Sequence, residues 1–125
     1  MLRVLFVTAR QHTVQSFVEG LASDPEVQLE QVGSEVEALN VVRSDAPHLA
    51  IVDSELMDTE PLSLVRSLLL VNAMVNTAVV SPLSDQEFHE ASEGLGILVR
   101  LPLIPGKSDA AELLHKLRQV LGLIT

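Results

Sequence analysis

Asp53, Ser81 and Arg10 are the side chains whose types and positions could do chemistry. Asp53 directly follows Leu49-Ala50-Ile51-Val52, and Ser81 follows Ala78-Val79-Val80. Arg10 comes just after Val4-Leu5-Phe6-Val7, separated from it by Thr8 and Ala9. A carboxylate at the end of an apolar run is a candidate functional group, and a hydroxyl there is a candidate anion ligand. The plainer readings are a solvated carboxylate for Asp53 and a turn or capping hydroxyl for Ser81. Other chemistries fail on inspection. The chain has no cysteine, which excludes disulfides, zinc thiolates, iron–sulfur clusters and thiol nucleophiles. His12, His48, His89 and His115 lack metal-ligand spacing, and no metal site is expected. Pro105-Gly106-Lys107-Ser108 looks like the end of a phosphate-binding loop, but Leu101 stands where the earlier glycine is required. Asp58-Thr59-Glu60 clusters charge near Asp53 and reads as a solvated loop.

These residues need elements that bring them to one place. Continuous apolar runs at Val4–Val7, Leu49–Val52 and Ala78–Val80 predict strands buried on both faces. Val27-Gln28-Leu29-Glu30-Gln31-Val32 alternates, which predicts a strand with one wet face at a sheet edge. Ile97-Leu98-Val99 predicts a fifth strand, ending at Leu101-Pro102. Between the strands the period changes. Val14, Phe17, Val18 and Leu21 form a helical stripe within His12–Ser23. Ser34 and Glu37 predict a capped helix to about Arg43, and Pro61 opens another through Val71. Ser84 caps a helix over Asp85–Ser92, closed by Gly94 and Gly96. Ala110, Leu113, Leu114, Leu117, Val120 and Leu121 give the last helix, Asp109–Leu121, the cleanest stripe. Five strands alternating with five helices predict a doubly wound α/β fold with a parallel sheet. Its strand carboxyl ends, where ligands gather, carry Thr8-Ala9-Arg10, Asp53, Ser81-Pro82 and Leu101-Pro102.

Composition narrows the function. The 125 residues hold 8 Lys+Arg against 17 Asp+Glu, a net charge of -9, so nucleic acid and anionic membranes are not expected as direct partners. Hydrophobic residues at 47% and charged residues at 20% predict a folded chain, read as one domain over 1–125. Aromatic residues at 2% leave nothing to stack on a base or sandwich a flavin, and no cofactor is expected. The opening apolar run is far shorter than a signal core and ends at Thr8, and no segment approaches a membrane span, so a cytoplasmic location is expected.

At the level of motifs the chain resembles the receiver domains of bacterial two-component response regulators. Leu49-Ala50-Ile51-Val52-Asp53 resembles the third receiver strand with its phospho-accepting aspartate, and Ser81 matches the hydroxyl residue ending the fourth. The loop Ser54–Leu62 has the family's length, with Met57, Glu60 and Pro61 in place of its usual proline, aspartate and glycine. Ser92-Glu93-Gly94-Leu95-Gly96 resembles the segment before the fifth strand. The resemblance implies a flavodoxin-like, five-stranded sheet of order 2-1-3-4-5. The departures bear on mechanism. Thr8 and Ala9 replace the two acids that hold Mg²⁺, Leu101 replaces the invariant lysine, and Leu98 replaces the switch aromatic. Metal and lysine offset the charge of phosphoryl transfer between two anions, and each loss costs about a hundredfold or more. Arg10 is the one cation nearby. It could swing over Asp53 in the lysine's stead, against the tendency of long surface arginines to stay in water.

The expected function is that of an atypical, pseudo-receiver module that is not an enzyme. It binds a histidine kinase, an output domain or another signalling protein, without Mg²⁺-dependent phosphorylation. The chain is either a stand-alone receiver or one excised from a longer protein. The alternatives are a working receiver phosphorylated at Asp53 and a flavodoxin-like protein binding a small ligand. The face of the fourth helix, fifth strand and fifth helix is expected to carry partner binding and a two-fold homodimer. It would set Asp85, Glu87, Glu90 and Glu93 against Lys107, Lys116 and Arg118, with Leu98 and Leu103 as apolar contacts.

Overall fold

Uninterrupted apolar runs leave no wet face, so they must lie in the middle of a sheet. In the computed structural model, which describes residues 1–124, they do; Thr125, the last residue of the expected domain, lies outside the described residues. The strands are β1 (Leu2–Val7), β2 (Val27–Val32), β3 (Leu49–Val52), β4 (Asn76–Val80) and β5 (Val99–Leu101). They form one parallel sheet of order β2-β1-β3-β4-β5. The alternating β2 is the edge strand, with Gln28, Glu30 and Gln31 exposed.

The helices are α1 (Gln15–Ala22), α2 (Glu35–Ser44), α3 (Pro61–Val71), α4 (Asp85–Ala91) and α5 (Lys107–Val120). Alternate strand residues feed two cores. Val4, Phe6 and Ile51 pack with Phe17 and Leu21 of α1 and Leu113 and Leu117 of α5. Leu5, Val7, Ala50 and Val52 pack with Ala38 of α2, Leu64 and Leu68 of α3, and Phe88 of α4. Phe6 and Phe17 meet edge-on, ring centroids 5.5 Å apart. Helices α1 and α5 approach closely at Gly20, where an added Cβ would lie 2.9 Å from the Ala110 Cβ.

The expected caps form. Ser34 Oγ accepts from the Glu37 N–H at 3.2 Å, and Ser84 does the same for Glu87. Several boundaries differ from expectation. Helix α1 starts at Gln15 rather than His12, because residues 11–14 turn first, with Val14 still buried as the N-cap. Helix α5 starts at Lys107, because the Gly106 N–H donates to the Asp109 carboxylate at 2.8 Å and organises its first turn. Val120 is 54% exposed, off the stripe assigned to it. Strand β5 begins at Val99, after two glycines at positive φ, Gly94 (84°) and Gly96 (64°). Ile97 and Leu98 thus precede it, although the Leu98 N–H already bonds the Thr77 carbonyl at 2.8 Å. No helix among the described residues is long and apolar enough to cross a membrane.

Candidate functional site

Parallel pairing sets the ends of β1 and β3 side by side, Val7 opposite Val52, and so brings Thr8 to Asp53. The Asp53 N–H continues the ladder to the Val7 carbonyl at 2.9 Å. The carboxylate is not solvated: Asp53 is 0% exposed. A buried charge needs a full set of partners, and Asp53 has one. Arg10 lies over it as a fork, Nε donating to Oδ2 at 3.0 Å and Nη2 to Oδ1 at 2.6 Å. The Thr8 hydroxyl donates to Oδ2 at 2.6 Å, and the Ser54 N–H to Oδ1 at 2.7 Å. Thr8 Oγ1 in turn accepts the Arg10 N–H at 3.0 Å, which orients the arginine's own backbone.

Arg10 Nη2 also donates to the Leu103 carbonyl at 2.8 Å. The arginine therefore ties the β1–α1 loop to the end of β3 and to the β5–α5 loop. Its side chain is only 11% exposed. The hydrogen bonds to Asp53 hold the guanidinium above its ordinary pKa, outweighing the opposite effect of burial.

Among the described residues, no side chain at the remaining positions hydrogen-bonds to this pair. Ser81 is nearly buried; its Oγ accepts the Leu83 N–H at 3.2 Å, a turn-forming bond, and its N–H donates to the Leu101 carbonyl at 3.0 Å. Leu101 is 2% exposed and part of the core beneath α1 and α5. Leu98 packs against the same core, just before β5 rather than on it. Ala9 is exposed and offers no side-chain ligand.

No protein-family model and no curated protein matches the chain. Solved structures match it in shape. A CheY-like response regulator receiver domain from Methanospirillum hungatei JF-1 has a TM-score of 0.83 at 19% identity, covering 98% of each chain. The N-terminal domain of an uncharacterized protein from Wolinella succinogenes gives 0.80 at 17% identity, over 97% of each chain. A chemotaxis response regulator of Vibrio cholerae gives 0.80 at 15% identity, over 94% of this chain and 98% of that one. The chain has the receiver fold.

In the receiver fold the resemblance placed Mg²⁺ beside the aspartate, and the residues present here do not fit it. Magnesium is held by hard oxygen donors, usually carboxylates with waters. Both oxygens of the Asp53 carboxylate are engaged by a guanidinium. Thr8 spends its proton on Asp53, and the Ala9 side chain has no donor atom. Among the described residues no group of three His, Asp or Glu side chains is disposed to hold a metal ion.

Two features of the receiver-fold mouth escape the sequence. Thr8 reads there only as a missing acid, whereas its hydroxyl is a partner of Asp53. Leu103 reads as an apolar contact, whereas its backbone carbonyl is the third anchor of Arg10, a contact across 93 positions with no local signal. The expected basic patch on α5 is also divided. Arg118 Nη2 is 2.8 Å from Asp24 Oδ2 and 3.1 Å from Glu26 Oε1, so it faces the β2 side rather than α4. Lys107 lies 3.6 Å from Glu19 of α1, and Asp85 of α4 is paired with Arg100 at 2.8 Å. Lys116 alone of the three cations borders β5, beside Val99, Arg100 and Leu101.

Proposed function

We infer that this chain is a receiver-type signalling module that works by binding another protein, with Asp53 neutralised by Arg10 in place of Mg²⁺-dependent phosphorylation. The observation that carries this reading is the fork of Arg10 on both oxygens of a fully buried Asp53. A carboxylate that is to attack a phosphorus atom needs a free oxygen, and the two anions need a metal or cation between them. Arg10 supplies a cation, but spends it on the acceptor itself. With chemistry set aside, the fold has surfaces to offer. The net charge of -9 favours a protein partner, a kinase or an output domain among them, over nucleic acid or an anionic membrane. The test is intact-mass spectrometry after incubation with acetyl phosphate and Mg²⁺. The expected result is an unchanged mass. A stoichiometric gain of one phosphoryl group, lost in Asp53→Asn, would overturn the reading in favour of a working receiver.

A further inference from the structure

A cleft of about 380 Å³ opens at the carboxyl end of β4, between the start of α3 and α4. Its walls are apolar: Pro61, Leu62, Val79, Leu83 and Phe88 among them. Two hydroxyls, Ser54 and Ser81, lie in its lining, and Glu60 adds a carboxylate. Neither Asp53 nor Arg10 lines it, so it is a separate space beside the locked pair.

The polar groups select the occupant. Ser81 is 7% exposed, and its Oγ accepts the Leu83 N–H. Its own proton has no acceptor among the described residues, so it is free to donate into the cleft. The Ser54 hydroxyl has only a long contact, 3.4 Å, to Asp53 Oδ1. A molecule with a carbonyl-type acceptor would satisfy them. An anion is disfavoured by the exposed Glu60 and by the net charge of -9. The size is at the lower end of small-molecule pockets, which are mostly apolar with a few placed polar groups.

We propose that this cleft binds a small neutral organic molecule, its apolar body against Leu62, Leu83 and Phe88 and its carbonyl-type oxygen accepting from Ser81. The proposal is independent of whether Asp53 is ever phosphorylated. It is tested by titrating the isotopically labelled full chain with three probes of similar size. Acetophenone is neutral with an acceptor, ethylbenzene has no acceptor, and benzoate is an anion. Amide spectra are expected to show saturable acetophenone shifts at Ser54, Leu62, Leu83 and Phe88. Ethylbenzene should bind about three- to tenfold more weakly, the value of one net hydrogen bond, and benzoate should also bind more weakly, through repulsion by Glu60 and the cost of desolvating its charge. Ser81→Ala should weaken acetophenone to the level of ethylbenzene, and Leu83→Trp, which fills the cleft, should abolish binding. Equal binding of ethylbenzene, tighter binding of benzoate, shifts elsewhere on the surface, or no saturation at ~10 mM would each overturn the proposal. The comparison of probes on the unmodified chain stands even if Ser81→Ala fails to fold.

Discussion

Replacing Arg10 with alanine should be among the most destabilising single changes available outside the apolar core. Asp53 is 0% exposed, and Arg10 covers both its oxygens. Arg10→Ala leaves the carboxylate with Thr8 Oγ1 and the Ser54 N–H but with no countercharge. Breaking a buried pair in this way costs about 3–5 kcal/mol, because the surviving charge stays desolvated. That is a large share of a total stability of about 5–15 kcal/mol. The converse change is milder. In Asp53→Asn the guanidinium is the survivor, already 11% exposed and on a long stem, so it can turn outward to water. Its expected cost is about 1–3 kcal/mol. The double variant Arg10→Ala/Asp53→Asn removes both charges and should be more stable than Arg10→Ala alone. Urea denaturation of the four proteins closes the cycle. A coupling of about 2 kcal/mol or more is expected. An Arg10→Ala cost below about 1 kcal/mol, or one equally large in the Asp53→Asn background, would refute the assignment of the fork as a buried, paired charge.

Three further outcomes are expected. Thr8→Asp, Ala9→Asp and Leu101→Lys together should restore labelling by acetyl phosphate only when Arg10 is also replaced, since groups acting as a unit are non-additive; labelling with Arg10 intact, read by intact mass, would count against the lock. His48 accepts the Arg3 N–H at Nδ1 (2.9 Å), and burial, with Arg3 and the N-terminal amine, lowers its pKa. The folded state thus binds fewer protons at His48 than the unfolded one, so stability falls as pH drops through about 6.5 toward the lower folded value; urea midpoints should decline more steeply from pH 7.5 to 5.5 in the parent than in His48→Gln. Gly20→Ala should destabilise by about 1–2 kcal/mol net in thermal unfolding, because the new Cβ would meet the Ala110 Cβ at 2.9 Å and the Lys107 Cα at 3.0 Å, outweighing its better helix propensity.

The sheet and its order were legible because the signals are local and repeated. Val4–Val7 and Leu49–Val52 have no polar residue to put toward water, and β2 announces its edge position through Gln28 and Glu30. Boundaries were less legible where backbone geometry outranks side-chain pattern, as at β5, where Gly94 and Gly96 delay an apolar run that already looks extended. At the site, the sequence indicates which charges are missing but not which contacts replace them. That Arg10 would leave water depends on Asp53 being buried and on a third anchor for the guanidinium, the Leu103 carbonyl, which no local pattern announces. Arg118 was legible and misread: two positions from Lys116 on α5 it lies on the far side of the helix, where it pairs with Asp24 and Glu26.

The bond from Arg10 to the Leu103 carbonyl has a consequence for time rather than for energy. An acyl phosphate hydrolyses, so a domain that carries one reverts at a rate set by chemistry. A guanidinium does not lose its proton in a protein, and its bonds to Asp53 and Leu103 consume nothing. The state of the three joined loops therefore carries no built-in lifetime. On the reading proposed above, a signal through this domain would rest on which partner is at hand rather than on the decay of a phosphoryl group.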